Sequence, residues 1–182
     1  MTVLSRSRVR LLTKIQDTFL SRGEPMQRPI PTDNEIIFDG GYMITETDLY
    51  GRITYANRKF MEITGYSRDE LIGAPHSIIR HPKMPRAAFK EMWDALHRGE
   101  DWNGHVVNLT KDGSFYWVHV YITPRCDGEE KIIGYIAARK VPGEQTLQAV
   151  KKKYELLMRR EAGVMENHMH DRAAPYSACI LS

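Results

Sequence analysis

The sequence predicts an α+β fold: a five-stranded antiparallel sheet with short helices on one face, flanked by an N-terminal helix and a C-terminal helix. Three observations lead to this prediction. Two strand patterns, residues 42–48 and 51–56, are joined by an Asp-Leu-Tyr-Gly turn signal, as in a hairpin. Short helical segments bounded by glycines and capping residues follow between residues 57 and 99. Three further strand patterns lie between residues 104 and 140, with an Asp-Gly dipeptide in each connecting loop.

The chain begins with a predicted amphipathic helix, residues 1–22. Its stripe recurs in steps of three and four residues, as on one face of a helix. The residues of the stripe are Val9, Leu12, Gln16 and Phe19. Gly23 and three nearby prolines end the helix, so residues 23–41 are predicted to be a linker.

Capping residues position the short helices. Asn57 stands at the N-cap position of the first helix, which ends at Gly65. Residues 67–70 (Ser-Arg-Asp-Glu) form a capping box that opens a one-turn helix. After an irregular stretch with three prolines, residues 74–85, a longer helix is predicted over residues 85–98. Its apolar positions have helical spacing: Phe89, Trp93 and Leu96.

The last three strands are predicted at residues 104–109, 114–123 and 131–140. The middle strand is apolar on both faces, with Phe115, Trp117 and Tyr121 alternating with Tyr116, Val118, Val120 and Ile122. One face therefore covers an internal core. The other face needs a cover from outside, most simply the N-terminal helix or a partner subunit.

The C-terminal helix is predicted over residues 144–162. Its apolar positions step by three and four, like a coiled-coil seam: Leu147, Val150, Tyr154 and Leu157. Two heptads are too few for a coiled coil that is stable alone. This seam and the apolar outer face of the sheet together predict a homodimer. Residues 163–182 lack periodicity and are predicted to be a flexible tail.

Composition excludes several classes of protein. Hydrophobic residues make up 42% of the 182, which is enough for a folded core. The net charge of +3 divides into +4 over residues 1–22, −2 over residues 23–143 and +1 over residues 144–182. A nucleic-acid-binding protein would concentrate positive charge on its folded body, so no nucleic-acid partner is expected.

The segments and motifs that the sequence lacks exclude further classes of protein. No apolar run approaches the roughly 18 residues of a membrane span, so no direct span is expected. Two cysteines, no zinc-ligand spacing and no secretory segment predict a cytoplasmic location and no metal site. There is no P-loop, nucleophile elbow or kinase motif, so no catalytic residue is predicted and the chain is not expected to be an enzyme.

One segment carries a family resemblance. Its defining residues are Pro75, His76, Arg80, His81, Pro82, Met84, Pro85, Ala87, Ala88, Phe89, Met92 and Trp93. Trp102, Asn108, Lys111-Asp112-Gly113, Tyr116-Trp117-Val118 and Gly134-Tyr135 follow at matching positions. With the order of elements, this pattern over about residues 42–141 resembles PAS domains of the aerotaxis-receptor type. The resemblance implies a PAS fold for these residues and FAD held non-covalently in its interior.

Position by position, the resemblance also implies a set of cofactor-binding residues. The matching positions are Arg80, His81, His76, Trp93, Trp102, Asn108 and Asn57. The first two match the pair associated with flavin binding, and the tryptophans match residues that line or close the cavity. Asn108 matches a strand asparagine whose identity affects flavin retention and signalling. At Lys83 the family usually has an aspartate, so this position is expected to alter flavin affinity or redox tuning.

Independently of the resemblance, the residues around position 80 suit an anion. Arg80, His81 and Lys83 place three basic groups just before a helix N-terminus, where free N–H groups favour phosphate. Phe89 and the nearby tryptophans offer a flat apolar slot, and Asn108 offers both a donor and an acceptor. Taken alone, the same residues also fit a solvated loop and an ordinary core helix.

The resulting hypothesis is a cytoplasmic sensor of redox or oxygen/energy state that relays a flavin redox change to a partner, a membrane chemoreceptor or a kinase. Light-sensing flavin PAS domains carry a reactive cysteine among their short helices. Here Cys126 lies in a late hairpin loop and Cys179 in the tail, so flavin–thiol photochemistry is not expected. Two alternatives stay open: a haem b sensor with His76 or His81 as the axial ligand, and a cofactor-free dimerisation module whose cavity is filled by side chains.

Overall fold

A computed structural model of the protein describes residues 28–172, and for residues 163–172 it describes the backbone. The helix predicted over residues 1–22 lies outside the described residues. In chain order the elements are β1 (Met43–Asp48), β2 (Ile53–Ala56), α1 (Arg58–Thr64), α2 (Arg68–Leu71), a 3₁₀ helix (His76–Ile79), α3 (Arg86–His97), β3 (Trp102–Leu109), β4 (Phe115–Cys126), β5 (Ile132–Lys140) and α4 (Glu144–Arg172). Among the described residues, no helix combines the length and the apolar character that crossing a membrane requires.

The strands form one antiparallel sheet in the order β2-β1-β5-β4-β3. The last strand lies in the middle because β5 pairs with β1 on one side and with β4 on the other. The short helices connect β2 to β3, at opposite edges of the sheet. The prediction of an α+β fold with a five-stranded antiparallel sheet is confirmed.

The register defines an inner face of the sheet, which packs against the short helices. Thr45 is opposite Ala137, and Ala137 is opposite Ile122. Because side chains alternate along a strand, one set of positions shares this face. Its buried members are Met43, Thr45, Thr47, Trp102, Val106, Asn108, Tyr116, Val118, Val120, Tyr135, Ala137 and Arg139. The helices contribute the fully buried Phe60, Leu71, Ile79 and Leu96 to the same core.

Local capping signals form the contacts that the sequence indicates. The Asn57 side chain accepts hydrogen bonds from the N–H groups of Phe60, at 2.9 Å, and of Ile44, at 3.0 Å. Its amide also donates to the Tyr42 carbonyl. Gly65 ends α1 with φ of 74°, a left-handed conformation that favours glycine. Both bonds of the capping box that opens α2 are present.

The long C-terminal helix, α4, differs from the prediction in two ways. It continues to Arg172, so residues 163–172 are helical rather than part of a tail. A single glycine at position 163 costs a helix only about 1 kcal/mol, and residues 144–174 contain no proline that would end the helix.

The second difference concerns what covers the outer face of the sheet. Among the described residues, part of that cover is α4 itself. Leu147 is buried, and the Tyr154 hydroxyl donates to the His105 carbonyl at 2.5 Å. The Tyr154 ring also lies 5.9 Å from the Trp117 ring. The predicted seam therefore packs on its own sheet.

Part of the predicted linker is bonded to the sheet. The N–H of Thr32 donates to the Gly113 carbonyl, and the N–H of Ile36 donates to the Phe115 carbonyl. Phe38 is buried, with its ring edge-on to Tyr116. These contacts are made at and just before the start of β4. The residues of β4 that pair with β5 begin later, at His119.

Candidate functional site

A buried polar cluster lies on the inner face of the sheet, around Arg139 of β5. The Arg139 side chain is only 3% exposed. Its Nη1 donates to Thr45 Oγ1 at 2.9 Å and to the Ala137 carbonyl at 3.3 Å, and its Nη2 lies 2.7 Å from His76 Nε2. A guanidinium can only donate, so His76 Nε2 must accept. We therefore assign His76 as the neutral tautomer with its proton on Nδ1.

The surroundings keep this histidine neutral and leave the arginine charged. Burial, and then the positive charge of Arg139, hold the pKa of His76 well below its ordinary value. Burial also lowers the pKa of Arg139, to about 10, which leaves the guanidinium protonated at neutral pH. Within residues 28–162 no carboxylate is paired with Arg139. As far as residues 28–162 show, the interior contains a cation without a counter-ion.

Tyr116 and Asn108 add two neighbouring polar side chains to this face. Tyr116 is fully buried, Asn108 is 6% exposed, and the two face each other across β3 and β4. Among the described residues no well-formed hydrogen bond reaches the Tyr116 hydroxyl or Asn108 Nδ2. The Asn108 amide lies close enough to the Tyr116 hydroxyl for the two side chains to interact with each other. Burial raises the pKa of Tyr116, so its hydroxyl stays a donor. Leaving such a group unsatisfied costs about 1–3 kcal/mol, a cost that an acceptor from a ligand would remove.

The cluster fits the chemistry of a flavin. It presents a guanidinium, a phenol and an amide, all of them donors, next to the rings and aliphatic side chains of the core. A flavin has carbonyl and imine acceptors along one edge of an otherwise flat apolar ring, and its nucleotide forms add phosphate. Arg139, Asn108 and Tyr116 are the residues that would hold it.

The three basic residues predicted for an anion site, Arg80, His81 and Lys83, have different surroundings in the structure. The Arg80 guanidinium lies 3.8 Å from the centre of the Phe89 ring, and the Arg80 backbone forms a bridge with Asn108. His81 is 5% exposed, and its Nδ1 accepts the backbone N–H of Lys83. The Lys83 side chain is exposed. Arg80 and His81 therefore hold their loop against the edge of β3 and the helix that follows.

The remaining predicted residues pack elsewhere in the domain. Trp93 stacks on His97 and meets Tyr135 edge-on. Trp102 is 8% exposed, and its indole N–H has no partner among the described residues. The Trp102 ring covers Gly104, where an added Cβ would lie 2.5 Å from the ring. Asn57, given above as a cap of α1, has a structural role in addition to any role in binding.

Sequence reasoning missed Arg139 and gave Tyr116 only as part of a motif. A signal for Arg139 was present, because it is a charged residue that follows the apolar run Ile-Ile-Gly-Tyr-Ile-Ala-Ala within one strand. Placing it on the inner face requires the register with β1, in which Arg139 is opposite the fully buried Met43. That register is a tertiary property, which the strand alone does not determine.

A second group of contacts joins α4 to the region around the site. The Glu161 carboxylate accepts the N–H groups of Arg86, at 3.2 Å, and Ala87, at 3.0 Å. These are the first residues of α3, whose N-cap, Pro85, forms no side-chain cap. Helix N-termini attract anions, so Glu161 supplies the missing cap. The C-terminal helix is thereby fastened to the element that follows the Arg80–His81 loop.

Comparisons with known proteins agree with this architecture. A profile of the PAS fold matches residues 53–139. The chain is 38% identical over 141 residues to the aerotaxis receptor of Escherichia coli (strain K12), covering 78% of this chain and 27% of that protein. It is 33% identical over 97 residues to a nitrogen fixation regulatory protein of Klebsiella pneumoniae, covering 53% of this chain and 20% of that protein.

A solved structure is also similar to this chain in its fold. A light-oxygen-voltage domain studied with a flavin analogue superimposes with a TM-score of 0.53 at 29% identity, covering 63% of this chain and 85% of that domain. The chain thus spans most of that domain but only about a quarter or less of the two sequence relatives.

Proposed function

The chain contains a domain of the PAS family, and from this premise we propose that it is a redox sensor that binds FAD in the interior of that domain. One observation carries the proposal: the buried side chains of Arg139, Asn108 and Tyr116 share one face of the sheet. Among the described residues no carboxylate pairs with Arg139, and no well-formed hydrogen bond reaches Asn108 Nδ2 or the Tyr116 hydroxyl. The similarity to an aerotaxis receptor and to a domain studied with a flavin analogue supports the same ligand class. When bound, a flavin supplies reversible electron acceptance.

The chain's own residues would orient and enclose the ligand. Asn108 and Tyr116 direct donors toward the interior from adjacent strands, which fixes where an acceptor edge can lie. Phe60, fully buried beside His76, helps to exclude water from the same region. Exclusion of water strengthens hydrogen bonds between these donors and a ligand.

The relay is proposed to pass through α4. Tyr154 and Glu161 attach this helix to β3 and to the start of α3. Asn108 lies on β3 as well, three residues from His105, whose carbonyl Tyr154 contacts. A change in the hydrogen bonds around Asn108 therefore has a short route to the helix. The predicted recipients remain a membrane chemoreceptor or a kinase, and the homodimer and the cytoplasmic location remain predictions.

No observation in the described residues favours the haem alternative. His76 Nε2 accepts from Arg139, which places a cation beside the nitrogen that would bind iron. His81 Nδ1 accepts from a backbone N–H, and its ring packs against Phe115.

One observation does favour the cofactor-free module. Phe60, Leu71 and Ile79 are almost completely buried and occupy the space between the sheet and the helices. In that alternative the PAS domain is purely an interaction module, and its interior side chains are core residues.

An absorption spectrum of the purified full chain separates the two proposals. We expect flavin bands, bleached on reduction, and release of FAD on denaturation, identified by chromatography against FMN. The variant Asn108→Leu should lose the flavin, while Asn103→Leu, on the exposed side of the same strand, should keep it. A colourless wild-type chain that takes up no added FAD would show that the interior is an ordinary core.

A further inference from the structure

In the part of the chain that the structure describes, Arg139 is a buried charge whose hydrogen-bond partners are all neutral. Its hydrogen-bond partners are a hydroxyl, a backbone carbonyl and the neutral ring of His76. The Tyr116 hydroxyl, which also interacts electrostatically with Arg139, is kept protonated by burial. Removing an ion from water carries a penalty of several kcal/mol that hydrogen bonds to neutral groups offset only in part. The ligand-free domain therefore keeps an energetically unfavourable charge in its core.

The same contacts hold the guanidinium in a fixed orientation. Nη1 is held from two sides by Thr45 and the Ala137 carbonyl, and Nη2 is held by His76. The Phe60 ring lies 5.5 Å from the guanidinium carbon. Because these partners come from β1, β5 and the 3₁₀ helix, the orientation is set by the fold before any ligand is present. A fixed cation without a counter-ion is the arrangement that a preorganised anion site requires.

We propose that Arg139 is the anion-binding group of the interior site, and that the negative charge of the ligand lies against its guanidinium. The inference rests on the proposed function, because it assumes a ligand in the interior. The anion is either a phosphate group of a flavin nucleotide or the ring of a reduced flavin, which carries negative charge. Both sources share the same chemistry, a delocalised anion on oxygen or nitrogen. His76 and Thr45 act as positioning residues that accept from Arg139 without adding charge.

The test compares Arg139→Met with Arg139→Lys and with Lys140→Met, which removes the adjacent, exposed cation. Thermal unfolding of the ligand-free full chain is measured first. Methionine removes the uncompensated charge at similar volume, so we expect Arg139→Met to unfold at the same temperature as the wild type or higher. An arginine retained for structure would give the opposite result.

Binding of riboflavin, FMN and FAD, each oxidised and reduced, is measured next by equilibrium titration. We expect Arg139→Met to bind the anionic probes at least about tenfold more weakly, and Arg139→Lys to retain most of the affinity. Lys140→Met should bind like the wild type. If the anion is phosphate, riboflavin binding is unchanged while FMN and FAD binding falls. If it is the ring, all three lose affinity, most strongly when reduced.

Two results would overturn the inference: unchanged flavin affinity in Arg139→Met, or a lower unfolding temperature of that ligand-free variant that Arg139→Lys restores without any change in binding. Failure of the proposed function gives a different pattern, in which the wild type binds none of the three flavins. In that case the ligand-free comparison still tests the charge argument. A lower unfolding temperature of Arg139→Met would show that the arginine is structural, and an equal or higher temperature would show that its buried charge does not stabilise the fold.

Discussion

Acidification should destabilise the domain through His76, and the variant His76→Gln should remove this effect. Burial and the positive charge of Arg139 hold the pKa of His76 well below 6.5 in the folded chain. In the unfolded chain the ring has its ordinary pKa of about 6.5. Between these two values the unfolded state binds more protons than the folded state, so the stability rises with pH. The stability is therefore lost as the pH falls below about 6.5.

The size of the effect follows from one proton. Each such proton contributes at most about 1.4 kcal/mol to the free energy of unfolding per pH unit. Lowering the pH from about 7.5 to about 5.5 crosses roughly one unit of this window, so His76 alone should remove about 1.4 kcal/mol. Glutamine keeps an acceptor for Arg139 Nη2 but does not protonate, so this part of the pH dependence should disappear.

Urea unfolding of the ligand-free full chain, followed by tryptophan fluorescence at the two pH values, measures the difference. His119→Gln is the comparison, because burial also lowers the pKa of His119 but this ring is only partly buried, on the outer face of the sheet. It should remove a smaller part of the pH dependence. Equal pH dependence in the wild type and His76→Gln would refute the assignment of His76 as a buried neutral acceptor.

Three other substitutions test separate parts of the structure. Asn57→Ala removes two accepted bonds and one donated bond and should lower the free energy of unfolding by about 2 kcal/mol in urea titrations, whereas an equal stability would contradict the capping geometry. Glu161→Ala should leave the unfolding midpoint nearly unchanged but speed hydrogen exchange at the start of α3 and in α4, and equal exchange rates would show that the cap contributes nothing. Gly134→Ala places a Cβ 2.1 Å from the Thr47 carbonyl oxygen and should cost about 3 kcal/mol or more, while Gly128→Ala, with no atom within 4 Å, should change the thermal unfolding temperature little.

Local features of the sequence predicted local features of the fold. The cap at Asn57 and the capping box before α2 depend on residues close together in the chain, and both form as expected. Strand and helix order followed from periodicity and turn residues in the same way. These signals extend over one element at a time, so they remain valid whatever packs against that element.

The residues of the candidate site could not all be predicted from single segments, because the pairing of distant strands brings them together. Arg80 and His81 stand out in the sequence, yet they pack against Phe89 and Phe115 and hold their loop in place. The inward cation is Arg139, whose position requires the pairing of the first strand with the last. Register between strands so distant in sequence is set by the packing of the whole sheet. Asn108, by contrast, was predicted and lies within the buried cluster.

The sequence also could not predict which element packs on the outer face of the sheet, because that depends on tertiary contacts. The seam that begins at Leu147 fits a partner helix and a sheet surface equally well, because both need the same spacing of apolar side chains. In the structure the hydrogen bond from Tyr154 joins the helix to β3, and the cap supplied by Glu161 joins it to α3. Both contacts join residues far apart in the chain, so the helix pattern alone does not predict them.

Titration of the ligand-free full chain with FAD, followed by the quenching of flavin fluorescence, tests most directly whether the buried donors hold a ligand. We expect saturable, equimolar binding to the wild type and a loss of affinity of at least about tenfold in Asn108→Leu, because an amide that hydrogen-bonds the flavin is removed. Absence of saturable binding to the wild type, or equal affinity in the variant, would contradict the assignment of this cluster as the flavin site.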